Sequence, residues 1–341
     1  MAVRLAVSEL RVLSSKMGAP KTVAIVGGGP VGYGYFLPAL KQNGISVSVV
    51  SKFGSPNGVT VEGIRNAGHY SPPVYTSFEK MALDKSLSTP AAVIWTCQNQ
   101  QNKYGITDFE SVFGRKNTSI IHVSAQNGID SARDLKPYAP HLCEMALYIG
   151  ATRKGSDTFV LNGDNGAHLF PVGTSSTLAD AQALAEFFNG IGLNAVKAVG
   201  TNEGHGLKVL KTVKNLNNYL AVLGFNRGMC EGLQYGHIDR SDSLKELRVK
   251  AATEFYQVYK DVFDAGELFF EDVLKGCEAY TVALKDHIPT HGAKVGTSQS
   301  MEDLLGPVIA TAKEKGIEVP TLELLHSQVY VAHQARISQS I

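Results

Sequence analysis

The segment that most constrains this chain is Thr22–Gly32, TVAIVGGGPVG. Thr22–Val26 is a short, apolar, β-branched run, which reads as a buried strand of a parallel sheet. Gly27, Gly29 and Gly32 then satisfy G-x-G-x-x-G. That spacing lets a strand turn sharply into a helix, lets backbone approach a pyrophosphate, and lets the helix pack closely on the sheet. The pattern carries weight here because it follows a strand and opens a helix, over about 31–42, closed by Asn43-Gly44. Pro30 suits an early helical position, where its missing N–H costs nothing. Ile45–Val50 completes a βαβ unit. The expectation is a dinucleotide held at Gly27, Gly28, Gly29, Pro30, Val31 and Gly32.

The end of the second strand selects the dinucleotide. An acid about twenty residues after the glycines would hold the ribose 2′-hydroxyl of NAD. This chain has Ser51-Lys52 instead. A hydroxyl and a cation suit the 2′-phosphate of NADP, so NADP is expected, with NAD as the alternative. Farther on, S-A-Q-N-G-I at Ser124–Ile129 follows the strand at 119–123. Ligands of open α/β sheets lie outside the carboxyl ends of the strands, which puts Gln126 and Asn127 in line to meet the cofactor.

The strand pattern continues at 91–95, 119–123, 145–150, 158–162, 168–172 and 195–199, with a helix at 178–188. After residue 200 the periodicity becomes helical: 207–235, 243–263 with Ser241-Asp242 as caps, 269–283, 301–315 and 321–338. Gly306-Pro307 is a candidate break in the fourth of these. The fold expected is an α/β Rossmann domain at 21–200 followed by an all-α domain at 201–341. Residues 1–20 form a basic extension without an apolar signal core, which argues against secretion. A targeting segment and a start at Met17 are the alternatives. The simplest expectation is a cytoplasmic protein.

Composition narrows the function. The 341 residues suit about two domains. The 32 basic and 31 acidic residues nearly cancel, which argues against nucleic acid or an anionic membrane as partner. At 44% hydrophobic and 18% charged the chain is too apolar to be disordered. No run approaches a membrane span. Cys97, Cys143, Cys230 and Cys277 are far apart, and His287-x-x-x-His291 is interrupted by Pro289. No metal site is therefore expected. G-x-S-x-G, the hydrolase elbow, is absent.

Within the first long helix, KVLKTVKNLNN sets Lys208, Lys211, Lys214 and Asn218 at three- and four-residue spacing, on one face. No acid lies between Glu203 and Glu231. An ammonium there can stabilise the alkoxide formed when hydride reaches a ketone, and deliver the proton. Desolvation or a neighbouring cation would lower its pKa toward that task. Asn217 and Asn218 could anchor substrate. Ser298 or Ser300 could bind a carboxylate at a helix start, beside Glu302 and Asp303, although hydroxyls and acids there also serve as a plain cap.

These residues together resemble ketopantoate reductase. The likeness rests on GGGPVG, Lys52, VEGIRNAG at 61–68 and SAQNGI in the first half. In the second half the chain is similar to that family and its relatives, the β-hydroxyacid and 6-phosphogluconate dehydrogenases, through Lys214 followed by Asn217-Asn218 and through Glu231, Leu233, Gly236 and Asp239. Glu302-Asp303-Leu304 and GIEVP at 316–320 are similar to the family's last helix and its proline. The resemblance implies an NADP-dependent oxidoreductase interconverting a small keto acid and hydroxy acid, as a homodimer. It implies a catalytic lysine at Lys214, with Lys211, followed four residues later by Asn215, as rival. It also implies a cofactor contact at Asn127. The chain departs from the family at Thr96-Cys97-Gln98-Asn99, where a lysine is usual. A β-hydroxyacid or glycerol-3-phosphate-type dehydrogenase is an alternative. So is a non-catalytic dinucleotide-binding sensor.

Overall fold

The computed structural model describes residues 22–52, 57–115, 117, 119–129, 131–223, 234–265, 268–283, 285–286 and 298–328. The chain separates into two compact units. One holds residues up to Gln126 with Ser131–Gly204, and the other holds Asn127–Asp130 with His205 onward.

The first unit is built on β1 (Thr22–Val26), whose five residues are all buried. Alternate side chains enter two different cores: Val23 and Ile25 lie in one cluster, Ala24 and Val26 in the other. A strand apolar at every position fits a sheet covered on both faces. The helix at 30–42 (α1) begins at Pro30, runs through a π-helical turn at Gly32–Phe36, and continues as Leu37–Gln42. It leads to β2 (Ser46–Val50), parallel to β1. Next come β3 (Val59–Gly63), β4 (Gly68–Tyr70), β5 (Val74–Tyr75), α2 (Phe78–Ala82) and β6 (Ala92–Trp95). They are followed by α3 (Asn102–Phe113), β7 (Ile121–Ser124), β8 (Leu142–Arg153), β9 (Thr158–Pro171), α4 (Leu178–Gly190) and β10 (Val196–Ala198).

Among the described residues the strands form one sheet in the order β4-β3-β9-β8-β7-β6-β1-β2-β5, with β10 pairing β9. The stretch from β8 to β5 is parallel, and β9 returns antiparallel to β8. Sequence spacing splits β9 in two around Gly163–Gly166, but the structure carries one strand through it. Gly166 takes φ +87°, and its N–H donates to Asp164 Oδ1 at 3.1 Å. The irregularity is absorbed as register shifts against the long partner β8. Helix α4 opens with a capping box between Thr177 and Asp180.

The second unit is helical. The long helix expected from 207 starts earlier, as α5 (Thr201–Lys214), and is interrupted at Asn215 before α6 (Leu216–Leu223). The cause is local. Asn217 Nδ2 donates to the Lys214 carbonyl at 3.0 Å and to the Cys277 carbonyl at 3.1 Å, which diverts the end of the first helix. The remainder of that expected helix, with Glu231 and Leu233, lies outside the described residues.

Next are α7 (Tyr235–Arg240), α8 (Asp242–Ala265), α9 (Phe270–Ala283), α10 (Ser298–Lys315) and α11 (320–328). Pro307 does not break α10, which runs through it. Arg248, 4% exposed, pairs with Asp239 at 2.7 Å and with Glu278 at 3.6 Å, and so ties α8 to α7 and α9. Asp239 thus serves the packing of the helices. Among the described residues no helix is long and apolar enough to cross a membrane.

Candidate cofactor and proton-transfer sites

In the first unit the glycine turn is shaped by what side chains would strike. Gly27 has φ +110°, and a Cβ there would stand 2.7 Å from Cys97 N. A Cβ on Gly32 would stand 2.5 Å from Gly27 O and 2.8 Å from Thr96 Oγ1. Thr96 Oγ1 donates to Val26 O at 3.0 Å and lies 3.2 Å from Gly27 O, so it ties the turn to the end of β6. Around Gly29 the picture reverses, since a Cβ there meets nothing within 4 Å. Gly29 O accepts from Tyr33 N at 2.9 Å, inside the first turn that Pro30 opens. Val31 is half-buried against the core. The result is a tight turn, closed behind and open at Gly29, at a helix N-terminus. It suits a diphosphate on both shape and partial charge, and so fits the dinucleotide expected there.

Ser51 lies beside this turn: a Cβ on Gly28 would stand 3.1 Å from Ser51 Oγ. Ser51 N donates to Tyr75 O at 2.8 Å, and Lys52 is exposed. Gln126 is 4% exposed and turned into the protein. Its Nε2 donates to Cys97 O and to Asn102 Oδ1, both at 2.7 Å. Asn102, which no motif singles out, is thus a partner of a residue expected at the cofactor.

The second unit contains Asn127. Its side-chain oxygen accepts from Lys211 Nζ at 2.8 Å. Sequence reasoning set these residues in separate roles, 84 positions apart, and the structure pairs them. Lys211 is half-buried. Desolvation, with the Lys208 ammonium one turn away, lowers its pKa to about 7. Lys208 itself is 4% exposed. Lys214 takes a different position, with its stem against α9: a Cβ on Gly276 would stand 3.0 Å from Lys214 Cε.

Asn217 is fully buried, and its amide is engaged by the two carbonyls at the helix break. Asn218, 4% exposed, accepts from the Tyr235 hydroxyl, whose pKa is pushed up by burial. Ser298, Ser300 and Glu302 lie in the first turns of α10, and their side chains fall outside the described residues. So do His287 and His291. Among the described residues no cluster of His, Cys, Asp and Glu could hold a metal ion.

A mixed sheet with a parallel core and a glycine turn after its first strand, followed by a helical unit, defines a class: the two-domain Rossmann-type fold. Comparison with known proteins narrows that class. Residues 23–173 match the family model Ketopantoate reductase PanE/ApbA. Solved structures match over most of the chain. A PanE/ApbA family ketopantoate reductase from Ralstonia eutropha JMP134 is 16% identical, with a TM-score of 0.74 over 92% of this chain and 99% of that one. D-mandelate dehydrogenase with NADH and anilino(oxo)acetate is 16% identical, with a TM-score of 0.75 over 92% and 98%. A dimeric ketopantoate reductase from Staphylococcus aureus is 16% identical, with a TM-score of 0.67 over 92% and 99%. No curated protein sequence matches this chain. The chain has the fold of the ketopantoate reductase superfamily, as its motifs led one to expect.

Proposed function

We propose that this protein is an NADP-dependent oxidoreductase that interconverts a small 2-keto acid and its 2-hydroxy acid. The observation that carries the reading is Lys211: an ammonium brought to a pKa of about 7 and held by Asn127. A proton donor works best when its pKa lies near the operating pH. The reduced dinucleotide, when bound, supplies a hydride to the carbonyl carbon. Lys211 Nζ stabilises the negative charge that builds on the carbonyl oxygen and transfers a proton to it. The lysine then regains its proton from solvent. In the reverse direction neutral Lys211 takes the hydroxyl proton.

The glycine turn Gly27–Gly32 holds the diphosphate, and Ser51 with Lys52 receives the 2′-phosphate. Asn127 orients Lys211. Lys214 is the rival acid, and Asn218, Ser298, Ser300 and Glu302 are the remaining candidates for substrate binding. The likeness to ketopantoate reductases and to D-mandelate dehydrogenase, crystallised with anilino(oxo)acetate, supports a 2-keto acid as substrate class. The dimeric Staphylococcus aureus neighbour supports a homodimer.

The direct test is oxidation of NADPH by purified protein against a panel of 2-keto acids, including ketopantoate and aryl keto acids. Turnover of at least one that is lost in Lys211→Met supports the reading. Turnover that survives both Lys211→Met and Lys214→Met overturns it.

A further inference from the structure

The glycine turn has a built support behind it. Its back wall is the segment Thr96-Cys97, whose backbone stands where a Cβ on Gly27 would fall. The carbonyl of Cys97 accepts from Gln126 Nε2 at 2.7 Å. That nitrogen also donates to Asn102 Oδ1 at 2.7 Å, and Asn102 Nδ2 returns a bond to Gln126 Oε1 at 3.2 Å. The two amides form a reciprocal pair. Ser124 Oγ donates to Gln126 Oε1 at 3.0 Å, so each end of the Gln126 amide carries at least two bonds.

The network continues inward. Asn102 Nδ2 reaches Ser131 O at 2.8 Å, and Ser131 Oγ donates to Glu144 Oε1 at 2.6 Å. Asn102, Ser124, Gln126, Ser131 and Glu144 are each 4% exposed or less. They come from α3, β7, β8 and two turns. A buried amide is costly unless its bonds are made, and a satisfied network is rigid. Packing alone could have been supplied by apolar residues of similar volume. The amide pair adds a fixed hydrogen bond to one backbone carbonyl, one residue after the clamp at Thr96.

We propose that Gln126 and Asn102 are positioning residues for the dinucleotide: their amide pair fixes the Cys97 carbonyl, and through it the wall that holds the Gly27–Gly32 turn in its binding shape. Gln126 thereby exchanges the direct cofactor contact expected of it for an indirect one. The inference rests on the reading of that turn as a dinucleotide site.

The test uses cofactor-free, full-length protein with NADP⁺ as the probe. Titration calorimetry and hydrogen–deuterium exchange compare wild type, Gln126→Met, Asn102→Leu and the double variant, well below their melting temperatures. Each single variant is expected to weaken NADP⁺ binding about tenfold or more, as loss of a buried hydrogen-bonded partner implies. The double variant should lose little more, because the amides act as one unit. Exchange in the peptide covering Gly27–Gly32 should rise, while peptides of α8 and α9 keep their wild-type rates.

A variant that melts earlier yet binds NADP⁺ as wild type does would overturn the proposal and leave the network a plain element of stability. So would additive losses in the double variant. If wild-type protein binds no NADP⁺, the underlying reading of the turn fails. If wild type binds and Gln126→Met binds equally, only this inference fails. Should a single variant not fold, Gln126→Glu gives a second measurement. It keeps the acceptor and removes the donor to Cys97, and binding equal to wild type at pH 8 would refute the proposal.

Discussion

In the proposed function, the glycine turn of the first unit and the lysine face of the second would work by opposite means. The turn works by absence. Its atoms are backbone, and its shape depends on the Cβ atoms that Gly27 and Gly32 lack. The lysine face works by forcing a group into an environment it resists: burial, and then the charge of buried Lys208, lower the pKa of Lys211 to about 7. The first is a geometric device, with no room for an added atom at Gly27 or Gly32. The second is an electrostatic device, which substitution can tune by degrees. Variants should therefore separate binding from chemistry.

The largest effect is expected at Lys211. Lys211→Met should lower kcat by about a thousandfold, within the range a general acid contributes, while NADP⁺ affinity stays at its wild-type value. Lys214→Met, whose stem rests on α9, should change kcat by less than about tenfold. Steady-state kinetics paired with calorimetric binding checks both. Equal losses at the two lysines would erase the distinction drawn between them.

Next come the glycines, where binding should move and the intrinsic chemistry should not. Gly32→Ala drives a methyl into Gly27 O and Thr96 Oγ1. It should lower the melting temperature and weaken dinucleotide binding by about a hundredfold, the scale of a few kcal/mol of overpacking. Gly29→Ala meets nothing within 4 Å. It should leave the melting temperature unchanged and still weaken binding, because its methyl enters the space left for the ligand. A Gly29→Ala protein that binds as tightly as wild type would place the diphosphate elsewhere.

Lys52 should give a smaller effect. An exposed cation contributes about 1 kcal/mol to a charge pair at most, so Lys52→Ala should weaken NADP⁺ by about fivefold and leave NAD⁺ unchanged. Competition binding with the two dinucleotides reads the ratio. An equal change in both would remove Lys52 from the selection of the 2′-phosphate.

The same contrast explains what the sequence disclosed. The βαβ start was legible because its determinants are contiguous: an all-apolar strand, a glycine spacing, a proline at the helix start. The irregular middle of β9 was not, since G-D-N-G reads as a turn and only the long ladder of β8 carries the strand through it. The helix break at Asn215 was hidden too, because it depends on the Cys277 carbonyl, 60 residues beyond Asn217. Local pattern placed Lys208, Lys211 and Lys214 on one helical face but could not rank them. Ranking required knowing which ammonium is desolvated and which stem finds room at Gly276. Gln126 was located correctly at the end of β7, yet its direction, inward to Asn102, is a property of packing.

The finest probe of the lysine face is its pH dependence. Reduction of a ketone by this scheme needs Lys211 as ammonium, so kcat/KM should fall as pH rises through about 7. Two causes lower that pKa, burial first and Lys208 second. Lys208→Met removes only the second, so the descending limb should move to higher pH and stop short of the 10.5 of an unperturbed lysine. The linkage to stability has a definite sign. The folded pKa lies below the unfolded value, so the folded state disfavours the ammonium, and the cost is complete below about pH 7. It fades between about 7 and 10.5 as the lysine becomes neutral in both states. Lys211→Met should therefore melt at a higher temperature than wild type at pH 6, with the gain shrinking as pH rises through that window. A gain independent of pH would come from better apolar packing, and Lys211 would then not be the strained cation that the proposed chemistry requires.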